Sequence, residues 1–422
     1  MSQEALFSPI KIGSKTAPNR IVINSMECCD ALDNGDPSPK TYERYENLFK
    51  GQPGVIIGEA ITPQYDHISR EHQLSIKEHN VPALKKFVAH LKEINPDVIY
   101  MPQVTHSGEI SHPRFSSRIR VTEEPLPGYE NSTLVREKEI EQVIQDYVDG
   151  ARRCYEIGAD GVDLKLCHGY LGTQILRPYN KDNWKYGGAW ENRRQFAIDV
   201  YDRVREAVPD ENFLIGSKIS VYEGFPGGVG TLNANSACMD LTETIDLVQQ
   251  LEKHGMQWVL QSAGSPSHTL DLAHPDKKSA DYAYMHFYFQ KVLRDALKPE
   301  TVVMGSGYTI YRDGNVKVGG NKKAFQAVLP ENNSVRFWGN KNINDGVVDA
   351  ISIGRQSFAD QFTPQKMMEN RDKEIKWCTL CDHCVELLIQ QYNVGCATYD
   401  KRYTEIYKQM VKETGGINEK HT

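Results

Sequence analysis

Between about residue 20 and residue 355, short β-branched and aliphatic runs alternate with longer stretches whose apolar positions recur every three or four residues. The runs predict eight strands, at 21–23, 55–57, 98–101, 161–164, 214–219, 258–261, 301–304 and 350–353. The clearest helical face lies ahead of the fourth run, where Ile140, Val143, Ile144, Tyr147, Val148, Ala151, Cys154 and Tyr155 fall on one side. A second face carries Leu84, Phe87, Val88 and Leu91, and a third Leu241, Ile245, Val248 and Leu251. Strands alternating with helices imply a parallel sheet with its helices outside. Eight such units favour a closed barrel over an open sheet: an α/β fold, the (β/α)₈ TIM barrel.

Two stretches interrupt the alternation. Residues 107–137 form a polar, proline-containing connection after the third strand, and residues 309–346 a Gly/Asn/Lys-rich insertion after the seventh. Long connections of this kind usually shape the mouth of a barrel. From about residue 366 charged residues precede a group of cysteines, which divides the chain into a barrel, 1–365, and a small C-terminal Cys-rich module, 366–422. A length of 422 residues suits that division. Net charge is −7, which gives no reason to expect nucleic acid as a partner. Neither a signal peptide nor an apolar run of membrane-spanning length is visible, so a cytoplasmic protein with no membrane partner is expected.

In a barrel, the residues that end each strand share one rim. Here those ends are polar: Asn24-Ser25-Met26-Glu27, Gly58-Glu59-Ala60, Gln103 with His106, Lys165 with His168 and Tyr170, Lys218 with Ser220, Gly305-Ser306-Gly307 and Gly354-Arg355. The last two sets suit a phosphate, because glycine admits close backbone approach and arginine adds a charge-assisted fork. Gln103 can donate and accept at once, as a pyrimidine edge requires, and Lys218 can stabilise an anionic ring. A buried satisfied amide and a salt bridge at the mouth are their ordinary alternatives.

The cysteines run Cys378-x2-Cys381-x2-Cys384-x11-Cys396. In a reducing compartment such a group points to metal, either an iron–sulfur cluster or tetrahedral zinc. Cys28, Cys29, Cys154, Cys167 and Cys238 read as small apolar packing residues.

The segment from Lys165-Leu-Cys-His168-Gly-Tyr170 through Gln174, Pro178, Asn180, Tyr186-Gly187-Gly188, Glu191-Asn192-Arg193 and Phe196 resembles the signature of the old yellow enzyme family. So do Pro18-Asn19-Arg20, Gly58-Glu59-Ala60, Gln103-x-x-His106-x-Gly108 and Asp349-x-x-x-Ile353-Gly354-Arg355. The likeness covers roughly residues 5–362. The cysteines resemble the iron–sulfur branch that includes 2,4-dienoyl-CoA reductase and trimethylamine dehydrogenase, here without their C-terminal nucleotide-binding domains. The resemblance implies FMN held by Ser25, Met26, Ala60, Gln103, Lys218, Ser306, Gly307, Gly354 and Arg355. It implies a [4Fe–4S] cluster on Cys378, Cys381, Cys384 and Cys396, in preference to zinc. It also implies that Tyr170 protonates the substrate while Lys165 and His168 hold its polar oxygen.

The chain departs from the family at Lys165, where histidine is usual, at Lys218 in place of arginine, at Glu27 and at Glu109. These changes bear on the substrate. The leading expectation is reduction of an activated C=C bond. Oxidation of a zwitterionic amine, by an amine dehydrogenase or N-demethylase, is the alternative, and a Schiff-base lyase using Lys165 a remote one. Expected partners are a small-molecule substrate and either NAD(P)H or an electron-transfer protein, with a homo-oligomer left open.

Overall fold

All eight runs become strands, and they close on themselves in a parallel barrel: β1 (Ile21–Ile23), β2 (Val55–Ile61), β3 (Ile99–Val104), β4 (Gly161–Leu164), β5 (Leu214–Ser220), β6 (Trp258–Ser262), β7 (Val302–Gly305) and β8 (Ala350–Ile353). Each pairs with its neighbours in sequence, and β8 returns to β1 through Ile351↔Ile21 and Ile353↔Ile23. The computed structural model describes residues 4–64, 66–276, 279, 281–314 and 333–415. Among them no helix is long and apolar enough to cross a membrane.

Both faces of the strands are buried, which is why they read as continuous apolar runs. One face fills the barrel. Val22, Val55, Ile57, Ile99, Met101, Leu214, Trp258, Leu260, Val302, Met304 and Ala350 form that interior, and Ile10, Ile12 and Ala17 of the hairpin Ile10–Ile12/Lys15–Ala17 pack into it. The other face packs on the helices α1 (Pro39–Lys50), α2 (Val81–Ile94), α3 (Glu137–Glu156), α4 (Trp190–Ala207), α5 (Thr242–Lys253), α6 (Tyr282–Ala296) and α7 (Val335–Asn344).

Three expectations need correction. Tyr155 is not part of the buried face of α3; it is 46% exposed at the end of the helix, edge-on to Phe213. Strands β2 and β3 run past their apolar cores. Register shifts between Ile57 and Ala60, so Gly58 and Glu59 lie against Pro102 alone, a bulge at the residue that lacks an N–H. The 309–346 stretch is not merely a polar insertion, because it holds α7, whose Val335, Gly339 and Asn342 are buried. Its middle, 315–332, lies outside the described residues.

Candidate active site

The strand ends open into one cavity of about 540 Å³. Ser25, Met26, Gln103, Lys165, His168, Tyr170, Lys218, Ser306, Gly307, Gly354 and Arg355 all line it, whereas Ala60 does not. Beyond the bulge, the Ala60 side chain is fully buried and its carbonyl accepts from Gln73 Nε2 at 3.2 Å.

On one side the polar groups are held by each other. Gln103 Nε2 donates to Asp163 Oδ2 at 2.6 Å, and Ser25 Oγ donates to Gln103 Oε1 at 3.0 Å. The other oxygen of Asp163 accepts the backbone N–H of Lys218 at 2.8 Å. Burial pushes the Asp163 carboxyl up to about 6. Lys218 Nζ donates to Asn24 Oδ1 at 2.9 Å, while Asn24 Nδ2 reaches Ser352 Oγ at 3.2 Å. Gly307 opens the turn after β7 with φ 92°, a left-handed conformation suited to glycine. A Cβ on Gly354 would stand 3.1 Å from Met26 Sδ, inside the cavity. Beside these, both ring nitrogens of His274 are buried without a side-chain hydrogen-bond partner among the described residues. Burial and the Arg355 guanidinium hold its imidazole down at about 4. Arg355 itself is engaged by Asp382 and by the carbonyl of Pro275.

The opposite side carries the family motif. His168, with φ 61°, accepts or donates through Nε2 to Ser262 Oγ at 2.7 Å, and burial keeps its ring neutral. Lys165 Nζ stands 3.3 Å from the centre of the Tyr170 ring. Tyr170 Oη donates to Glu27 Oε1 at 2.9 Å and lies 3.1 Å from Ser69 Oγ. Arg70 Nε holds Glu27 Oε2 at 3.1 Å. The 107–137 connection brings His112, Arg118 and Tyr129 to the rim.

A third wall comes from the C-terminal segment. Val385, Leu388 and Ile389 of α8 (His383–Ile389), with Cys384, Gln391 and Val394, line the same cavity. The segment is fixed by Val394 N–H to the Cys28 carbonyl (2.9 Å), by Gln391 Oε1 accepting from Glu71 N–H (2.9 Å), and by packing of Leu387, Val394 and Met410 on Cys28. Met410 belongs to α9 (Lys401–Thr414). The cysteine loop turns through left-handed Leu380 and Asp382. Backbone N–H groups of Leu380, and of Thr398 and Tyr399, point at the sulfurs of Cys378 and Cys396. Cys378 and Cys381 each lie close enough to Cys384 and Cys396 to feel their charge, though among the described residues no three Cys, His, Asp or Glu side chains take a metal-ligating arrangement.

Sequence reasoning missed Asp163, Ser262, Arg70 and the C-terminal wall. A charged residue inside the apolar run of β4 was the available signal for Asp163; Ser262 at the end of β6, Arg70 and the C-terminal wall gave none.

A family model described as NADH:flavin oxidoreductase / NADH oxidase matches residues 5–268. The N,N-dimethylglycine/sarcosine dehydrogenase of Chromohalobacter salexigens is 26% identical over 412 residues, 94% of this chain and 53% of that protein. Enoate reductase 1 of Kluyveromyces lactis is 29% identical over 288 residues, 64% of this chain and 69% of that protein. In fold, a 2-naphthoyl-CoA reductase complex aligns with TM-score 0.76 at 19% identity, covering 96% of this chain and 58% of that one. The chain thus spans about half the length (53%) of a curated relative that it matches over 94% of its own residues.

Proposed function

Since the chain belongs to the NADH:flavin oxidoreductase / NADH oxidase family, we propose that it is an FMN-dependent oxidoreductase that reduces an activated C=C bond. One observation carries this reading: Lys165, His168 and Tyr170 share a single cavity with Gln103, Lys218, Gly307 and Arg355. Its volume of about 540 Å³ falls within the usual range for cofactor sites.

FMN, when bound, supplies hydride chemistry. Gln103 and Lys218 would meet its pyrimidine edge, and Ser306, Gly307, Gly354 and Arg355 its phosphate. The buried ring of His274 beside Arg355 suits that anion as well. Ser25 and Met26 would support the ring from β1. Lys165 and neutral His168 would orient the substrate's electron-withdrawing oxygen, so that charge arriving there meets donors already in place. Tyr170 would give the proton. Cys378, Cys381, Cys384 and Cys396 would hold a [4Fe–4S] cluster, a group suited to single-electron exchange; the N–H donors aimed at Cys378 and Cys396 fit thiolate ligands. Electrons would come from NAD(P)H or from a carrier protein.

A second reading is oxidation of an N-methylated amino acid. It is favoured by likeness to the dimethylglycine/sarcosine dehydrogenase across 94% of the chain. Lys165 would then meet a carboxylate. The Schiff-base lyase is left without support by the family.

Anaerobic turnover decides between the two readings. FMN-loaded, reduced protein should be reoxidised by 2-cyclohexenone, and oxidised protein should not be bleached by N,N-dimethylglycine. The converse pattern would replace the first reading with the second.

A further inference from the structure

Glu27 has no part in the reading above, although it touches the group that moves the proton. Tyr170 Oη donates to both of its oxygens, at 2.9 and 3.1 Å. Arg70 fixes the carboxylate from the far side through Nε at 3.1 Å, and its Nη1 donates to the Ser69 carbonyl at 3.1 Å. Ser69 Oγ in turn lies 3.1 Å from Tyr170 Oη. Glu27, Arg70 and Tyr170 all line the cavity.

We propose that Glu27 is the proton conduit behind Tyr170, the two forming a relay that refills the tyrosine hydroxyl after each turnover. The proposal rests on Tyr170 as the proton donor. In reduction, the β carbon would take the hydride (two electrons and one hydrogen) that FMN, when bound and reduced, would supply. The α carbon then bonds to the Tyr170 proton as the Oη–H bond breaks. A phenolate left about 3 Å from a buried carboxylate would be strongly disfavoured. In the fraction of molecules whose Glu27 is protonated, that conflict is removed: the Glu27 proton passes to Oη, and the carboxylate so formed is recharged by hydronium from solvent, more often as pH falls. In substrate oxidation the relay runs backwards: Oη takes the substrate's proton while its own passes to Glu27.

The charged and titratable groups facing Glu27 are Arg70, Lys165, Lys218, Tyr170, Cys29 and Cys167. Burial opposes its charge, but Arg70, Lys165 and the Tyr170 hydrogen bond outweigh burial and hold the carboxyl below the usual carboxylate range. The pair therefore rests as tyrosine hydroxyl and carboxylate at neutral pH. Reduction should speed up as pH falls through the Glu27 titration.

The experiment is the pH profile of flavin reoxidation by 2-cyclohexenone in wild type, Glu27→Gln and Tyr170→Phe, all FMN-loaded. The wild-type rate should fall as pH rises, Glu27→Gln should lose that limb, and Tyr170→Phe should be slower by about a hundredfold or more throughout. Retention of the wild-type limb by Glu27→Gln overturns the relay. A second measurement needs no substrate: the carbonyl infrared band missing from Glu27→Gln should titrate at higher pH in Tyr170→Phe than in wild type. An unmoved band also overturns the relay. A moved band in protein that reduces no enone supports the relay while removing the proposed substrate class.

Discussion

Asp163 shows how one buried carboxylate can organise the proposed cofactor contacts without touching the cavity. Its two oxygens orient Gln103 Nε2 and the backbone of Lys218. Asp163→Asn would turn one acceptor into a donor facing a donor. An unmet buried hydrogen bond costs about 1–3 kcal/mol, so FMN should bind roughly ten- to hundredfold more weakly in a fluorescence titration. The variant also carries a pH signature. Burial raises the Asp163 carboxyl from 3.8 to about 6 in the folded protein. Between those values the folded state holds the extra proton, so this contribution to stability is full below the lower value and lost as pH rises through the upper. Thermal unfolding from about pH 4 to about pH 7 should show wild type losing ground to Asp163→Asn. A constant offset would mean that Asp163 stays ionised throughout. The rim residues were legible because each follows an apolar run. Arg70 and Ser69 were not, since only the folded chain brings their loop against Tyr170.

At the level of elements, the barrel interior is the strictest constraint. Trp258 on β6 is fully buried and lies against Gly216 on β5. A Cβ at Gly216 would come within 2.3 Å of both the indole Cδ2 and the backbone oxygen of Trp258. Gly216→Ala should therefore destabilise the protein by about 1–3 kcal/mol or more, read as a lower urea midpoint with an unchanged slope. Strand positions could be read from sequence because both faces are buried and leave unbroken apolar runs. The upper ends of β2 and β3 could not, because Gly58, Glu59 and Pro102 interrupt the pattern while the ladder continues past a bulge. Helix α7 was hidden for a different reason: Arg336, Asn340, Lys341 and Asn344 dilute its buried stripe of Val335, Gly339 and Asn342.

Across the whole molecule, the C-terminal segment is joined to the barrel where the chemistry is expected. Leu387, Val394 and Met410 pack on Cys28, and Asp382 pairs with Arg355 at the end of β8. A sequence boundary near residue 366 marks a change of composition, and the contacts run straight across it. A chain cut after residue 376 keeps all eight strands but lacks the Cys384–Val394 wall. It should retain its helical circular dichroism yet shed FMN on gel filtration; full FMN retention would mean that this wall does not help hold the cofactor. The order of synthesis adds a consequence. A ribosome that has extruded residue 353 has already released every strand, yet the pocket still lacks one side until residue 394 emerges. Nascent chains stalled in that interval should be folded but colourless, because the proposed flavin site would close only once residue 394 is free.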